Sequence, residues 1–175
     1  MSPVRVAFLL FDGITALDVV GPYEVLARLP GAEVIFAAPE AGAVTTGDGH
    51  LGLLARASID EVARADVLLV PGGHGTRQLV DDARVLDWVR AIDASSAYTT
   101  SVCTGSLVLG AAGLLEGKRA TTHWSLMERL RTYGAIPTDA RVVDEGRLVT
   151  AAGVSSGIDM ALALAATIAG AEVAQ

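Results

Sequence analysis

Two rhythms of hydrophobic residues alternate along this chain. Val4 to Phe11 is apolar apart from Arg5 and is closed by Asp12-Gly13, and Glu33 to Pro39 and Asp66 to Val70 have a similar character, so each predicts a buried strand. Tyr98 to Val102 is aromatic and β-branched, which also favours a strand. Between these runs the apolar positions recur at helical spacing. Helices are predicted over Thr15 to Leu29, over Arg77 to Ala94 with a break near Asp81-Asp82, over Ser106 to Leu115, over Trp124 to Tyr133 ending at Gly134, and over Ile158 to Ala169. Ser58, with Glu61 three residues on, is a capping signature for one more short helix. Gly42 to Arg56 predicts hairpin-like strands around Gly47-Asp48-Gly49. Ile136-Pro137 predicts a loop, Arg141 to Val143 with Arg147 to Thr150 a hairpin, and Gly153 to Gly157 a turn. Strands that alternate with helices specify an α/β fold, a mostly parallel sheet with helices on both faces. Ligands in such folds bind beyond the carboxyl ends of the strands.

Composition narrows the function. With 175 residues and 51% hydrophobic content, a single domain over 1–175 is expected. The net charge of −7, with no basic cluster beyond Lys118-Arg119, argues against a nucleic-acid surface and against a polybasic membrane patch. A single cysteine excludes an internal disulfide, and no Cys/His group has zinc-ligand spacing, so neither a metal nor a cofactor is expected. Met1 to Phe11 lacks the pattern of a signal peptide, and Met160 to Ala174 is shorter than the roughly 20 residues of a membrane span. The cytosol is the expected compartment.

Candidate chemistry centres on Cys103, which sits where the Tyr98–Val102 strand gives way to the Ser106–Leu115 helix. A residue at such a join points out of the sheet edge, the geometry of a nucleophile elbow, and the positive end of the following helix predicts that the thiolate is favoured. The bland alternative is a buried cysteine packed as a small hydrophobe. Asp18 is the second candidate. Its helical neighbours Ile14, Gly21, Pro22 and Val25 form an apolar face, which predicts a raised pKa suited to a general acid. Pro22 cannot donate to the carbonyl of Asp18, so the helix either kinks there or begins at Gly21-Pro22. A capping or exposed aspartate is the alternative. Gly72 and Gly73 follow a buried strand and are placed to aim N–H groups at an anion, or else simply to make a tight turn. His123 is a candidate partner for the thiolate or a structural histidine, and His50 and His74 carry no assigned role.

The segment Ser101-Val-Cys-Thr-Gly-Ser-Leu-Val-Leu-Gly-Ala-Ala-Gly-Leu-Leu-Glu-Gly-Lys-Arg-Ala-Thr-Thr-His-Trp124 resembles the elbow region of the class I glutamine amidotransferase-like DJ-1/PfpI superfamily. Phe8-Leu-Leu-Phe, Leu17-Asp-Val-Val-Gly-Pro, Pro71-Gly-Gly and Gly153 to Asp159 extend the likeness over nearly the whole chain. The resemblance implies a flavodoxin-like, Rossmann-like sandwich. Cysteine followed by Thr104, rather than by the histidine common in the protease-like branch, together with aspartate in a Leu-Asp-x-x-Gly-Pro context, is similar to the isonitrile-hydrating branch. That branch implies Cys103 as nucleophile, Asp18 as proton donor and Thr104 assisting, a small-molecule substrate, and a homodimer. The resemblance also gives His123 weight as a residue near the nucleophile. Two other readings stay open: a small-molecule sensor domain like that of AraC-type regulators, and a DJ-1-like redox or glyoxalase protein, whose relatives commonly carry glutamate where Asp18 stands. Relatives in the isonitrile-hydrating branch continue past the last helix, so this chain is expected to be a short variant or a truncated form.

Overall fold

A computed structural model of the protein describes residues 3–174. The first strand, β1 (Val4–Leu9), has every residue from Val6 onward fully buried. Its continuous apolar character therefore reflects burial on both faces of the sheet. Helix α1 (Ala16–Leu26) follows and leads into β2 (Ala32–Ala38). An antiparallel ribbon of β3 (Gly42–Thr45) and β4 (Gly52–Ala55) stands apart from the main sheet, which resumes at the short β5 (Ala57–Ser58). The Ser58–Glu61 capping box forms as predicted around a single 3₁₀ turn, Ile59–Glu61.

Beyond that turn come β6 (Val67–Val70), α2 (Thr76–Leu79), α3 (Ala83–Ser95), β7 (Tyr98–Val102) and α4 (Gly105–Ala111). The break between α2 and α3 falls at Asp81-Asp82, where the Asp82 side chain accepts from the N–H of Val85 and caps α3. The remaining strands are β8 (Arg119–Ala120), β9 (Ile136–Pro137), β10 (Val142–Asp144) and β11 (Leu148–Ala151), and α5 (Ser156–Ala169) closes the domain. The main sheet has the order β10-β11-β7-β6-β1-β2-β5, parallel throughout except for β10. Helices α1 and α5 pack on each other over one face, and α2 and α3 pack with α4 over the other.

Of the two alternatives at Pro22, helix α1 takes the first, running from Ala16 on through Pro22 and not beginning at Gly21. Three local expectations change. Ser106–Leu115 contracts to α4, because Gly113 adopts φ +82° soon after Ala111 and ends the helix. The Trp124–Tyr133 segment is 3₁₀ rather than α, and ends as predicted on a left-handed Gly134. Ile136-Pro137 is a short strand parallel to Arg119-Ala120 and not a loop. Only a distant partner makes it a strand.

Because β1, β6, β7 and β11 run in one direction, their carboxyl ends share one rim of the sheet. From β1 the chain proceeds outward on one side to β5 and returns to β6 on the other. The loops after β1 and β6 therefore meet at a topological switch point, tied by Thr15 N–H donating to Gly72 C=O at 2.9 Å.

Candidate active site

Cys103 stands at the join of β7 and α4 with φ 55°, the one positive value among the described non-glycine residues. A side chain there is strained, and such strain persists only where the surroundings fix it. Here they do. The Cys103 N–H donates to Ala151 C=O at 2.8 Å, and its carbonyl accepts from Thr122 Oγ1 at 3.0 Å and Ser106 Oγ at 3.2 Å. Two glycines complete the seat. A Cβ on Gly153 would lie 2.5 Å from that of Cys103, and one on Gly105 would lie 2.0 Å from Val70 O. The thiol residue itself is 5% exposed.

Asp18 lies in the first turn of α1 and is fully buried, so it is neither a helix cap nor a surface group. Its Oδ2 accepts from the Gly72 N–H at 3.0 Å, while Oδ1 has no hydrogen-bond partner among the described residues. Gly72 is the spacer between acid and thiol: a Cβ there would lie 2.9 Å from Asp18 Oδ2 and 2.7 Å from Cys103 Cβ. Burial pushes the Asp18 carboxyl up to about 7, against the opposing pull of the Gly72 N–H and of the thiol. That is the direction its apolar helical face implies.

Cys103 departs from expectation. Burial, and after it the negative charge of Asp18, push the thiol up to about 12, so it rests protonated. The hydrogen bonds from Thr104 pull the other way and do not win.

The glycine loop also differs from its predicted use. The Gly72 N–H is committed to Asp18, and the Gly73 N–H donates to Thr104 Oγ1 at 2.9 Å. These groups hold the acid and the threonine in place and are not free to cradle an oxyanion. Thr76 Oγ1 donates to Gly73 C=O at 2.8 Å and lies 3.1 Å from Thr104 Oγ1, which closes a small knot of hydroxyls and backbone around the loop.

His123 makes no hydrogen bond to the thiol among the described residues. Its Nδ1 lies 2.8 Å from Ser125 Oγ and accepts from the Ser125 N–H at 3.4 Å, capping the 3₁₀ segment. It does line the same cleft as Cys103, a space of about 370 Å³ that also touches Gly73, Thr104 and the apolar side chains of Val80, Leu107 and Leu126. Asp18 sits behind this wall and reaches the cleft through Cys103. Among the described residues no group of three His, Cys, Asp or Glu is arranged to hold a metal. Thr122, Ser106, Thr76 and Gly153 position the elbow, and sequence reasoning missed all four. Thr122 stands beside His123 in the recognised segment, but a hydroxyl in a threonine-rich stretch carries no mark of its role.

Comparison with known proteins finds similar chains and folds. An isonitrile hydratase from Pseudomonas putida is 47% identical over 172 residues, which is 98% of this chain and 75% of that protein. Protein/nucleic acid deglycase 2 of Escherichia coli is 31% identical over 150 residues, 83% of this chain and 87% of that protein. The crystal structure of a ThiJ/PfpI family protein from Pseudomonas syringae matches with a TM-score of 0.95 at 39% identity, over 99% of this chain and 72% of that one. The DJ-1/PfpI family profile matches residues 4–167, and the chain belongs to that family.

Proposed function

We propose that the protein hydrates an isonitrile to an N-substituted formamide, with Cys103 as nucleophile and Asp18 as the group that moves the proton. The observation that carries this reading is the buried pair itself, the Asp18 carboxyl and the Cys103 thiol held on either side of Gly72 beside the cleft. An isonitrile carbon needs both a nucleophile and a proton, so a thiol with its own proton is a suitable reagent. The Asp18 carboxylate takes the thiol proton and delivers it to the isonitrile carbon as the S–C bond forms, giving a thioimidate, R–N=CH–S–Cys103. Water then adds to that carbon, the C–S bond breaks, a proton reaches nitrogen, and Asp18 returns the other to sulfur. The sum is R–NC plus water to R–NH–CHO. Thr104 fixes the loop behind the pair through Gly73. Similarity to the Pseudomonas putida isonitrile hydratase supports the same reading.

The test is formamide formation from several isonitriles. Cys103→Ala is expected to lose at least about a thousandfold in kcat/KM and Asp18→Asn about a hundredfold or more. Because the carboxylate must accept the thiol proton, wild-type kcat/KM should rise with pH through about 7, and Asp18→Asn should lack that limb. Absence of hydration across the series, with Cys103→Ala indistinguishable from the parent, sinks the proposal.

A ligand-binding sensor is the second reading, favoured by the same protonated thiol, since a sensor needs no nucleophile. The redox reading is disfavoured by it, because oxidation proceeds through the thiolate.

A further inference from the structure

The cleft at Cys103 carries a charge opposite to that of the chain. Arg77 from α2 and Arg129 from the 3₁₀ segment Trp124–Tyr133 both line it, and no Asp or Glu does. The chain as a whole has a net charge of −7. Most arginines elsewhere are held by carboxylates, as in Arg84 with Glu40 and Asp60, Arg119 with Glu145, and Arg147 with Asp93, the exceptions being Arg56 and Arg64, which do not line the cleft. Arg77 and Arg129 form no salt bridge among the described residues. Val80, Leu107 and Leu126 add apolar side chains to the lining, beside the hydroxyl residues Thr15, Thr76, Thr104 and Ser125. The cleft thus offers a thiol, apolar side chains, and two guanidinium groups without a carboxylate partner among the described residues. Guanidinium groups bind carboxylates through paired N–H donors.

We infer that this cleft selects isonitriles that carry a carboxylate on a short apolar linker, and that Arg77 and Arg129 are the residues that select them. The substrate class rests on the hydration reading, whereas the preference for an anion belongs to the cleft whatever reaction occurs in it.

Cys103 is the only cysteine, so intact mass counts a single alkylation event. The experiment measures the rates of alkylation by iodoacetate and by neutral iodoacetamide at one pH, for the full chain and for Arg77→Ala/Arg129→Ala. Their ratio cancels any change in thiolate fraction. At low salt the iodoacetate-to-iodoacetamide ratio should fall about tenfold in the double variant, the size expected from two partly screened charges. Wild type in 0.5 M NaCl should shift toward the variant, as the Debye length contracts to about 4 Å. A ratio that stays within about twofold overturns the inference. In parallel, 4-isocyanobutanoate should exceed its methyl ester in kcat/KM by about tenfold or more in wild type, and the double variant should lose that preference. Equal turnover of acid and ester overturns the substrate assignment while hydration stands. An arginine-dependent alkylation ratio with neither isonitrile hydrated overturns the hydration reading, and with it the isonitrile class, while the anion-selective cleft stands.

Discussion

Asp18 has a buried carboxyl oxygen with no partner among the described residues, which costs free energy whenever that carboxyl is ionised. The effect on stability has a definite sign. With a folded pKa of about 7 against 3.8 in the unfolded chain, the native state binds the extra proton. The contribution is fully present below pH 3.8 and is lost as pH rises through about 7, by about 4 kcal/mol at most. Asparagine has nearly the same shape and no charge. The stability of wild type minus that of Asp18→Asn, measured by urea unfolding, should therefore fall between pH 4 and pH 8, and a flat difference would refute the assignment. Asp18 was legible in the sequence because an acid on an apolar helical face is conspicuous. The resting state of Cys103 was not, since helix direction can be read locally whereas burial is a property of the finished fold.

At the scale of elements, the entry of α4 against β6 is set by closeness of backbone. Gly105 begins a helix, where alanine is ordinarily favoured by about 1 kcal/mol, yet its Cβ would lie 2.0 Å from Val70 O. That oxygen belongs to a buried strand with nowhere to move. Gly105→Ala is expected to destabilise by about 1–3 kcal/mol in spite of the helical preference, as overpacking does. A stabilised variant in chemical denaturation would mean that the elbow is looser than this packing implies. Strands such as β1 and β6 could be read from their apolar runs, Val6–Leu9 and Val67–Val70, because burial on both faces leaves that signature. Strand β9 at Ile136-Pro137 could not, because it depends on Arg119-Ala120, a neighbour far along the chain.

For the whole molecule, alternation of strand and helix was enough to place Asp18, Gly72 and Cys103 beyond the carboxyl ends of parallel strands. Strand order was not readable from it, nor the central position of β1, because pairing is decided between segments whose patterns are nearly alike. The uniform direction of β1, β6, β7 and β11 divides the labour between the two rims of the sheet. The candidate site lies at the carboxyl rim, and the turn from β10 to β11 lies at the amino rim. Gly146, in the turn between β10 and β11 at that second rim, is exposed and has open space around it. A peptide tag of about ten Gly and Ser residues inserted after Gly146 should reduce stability only slightly and leave turnover per folded molecule near the parent value, because loop closure depends weakly on length. Loss of activity in a folded insertion variant would show that the rims communicate. Otherwise the amino rim is a place where the protein can be labelled, immobilised or fused to a partner without disturbing the cysteine on the far side.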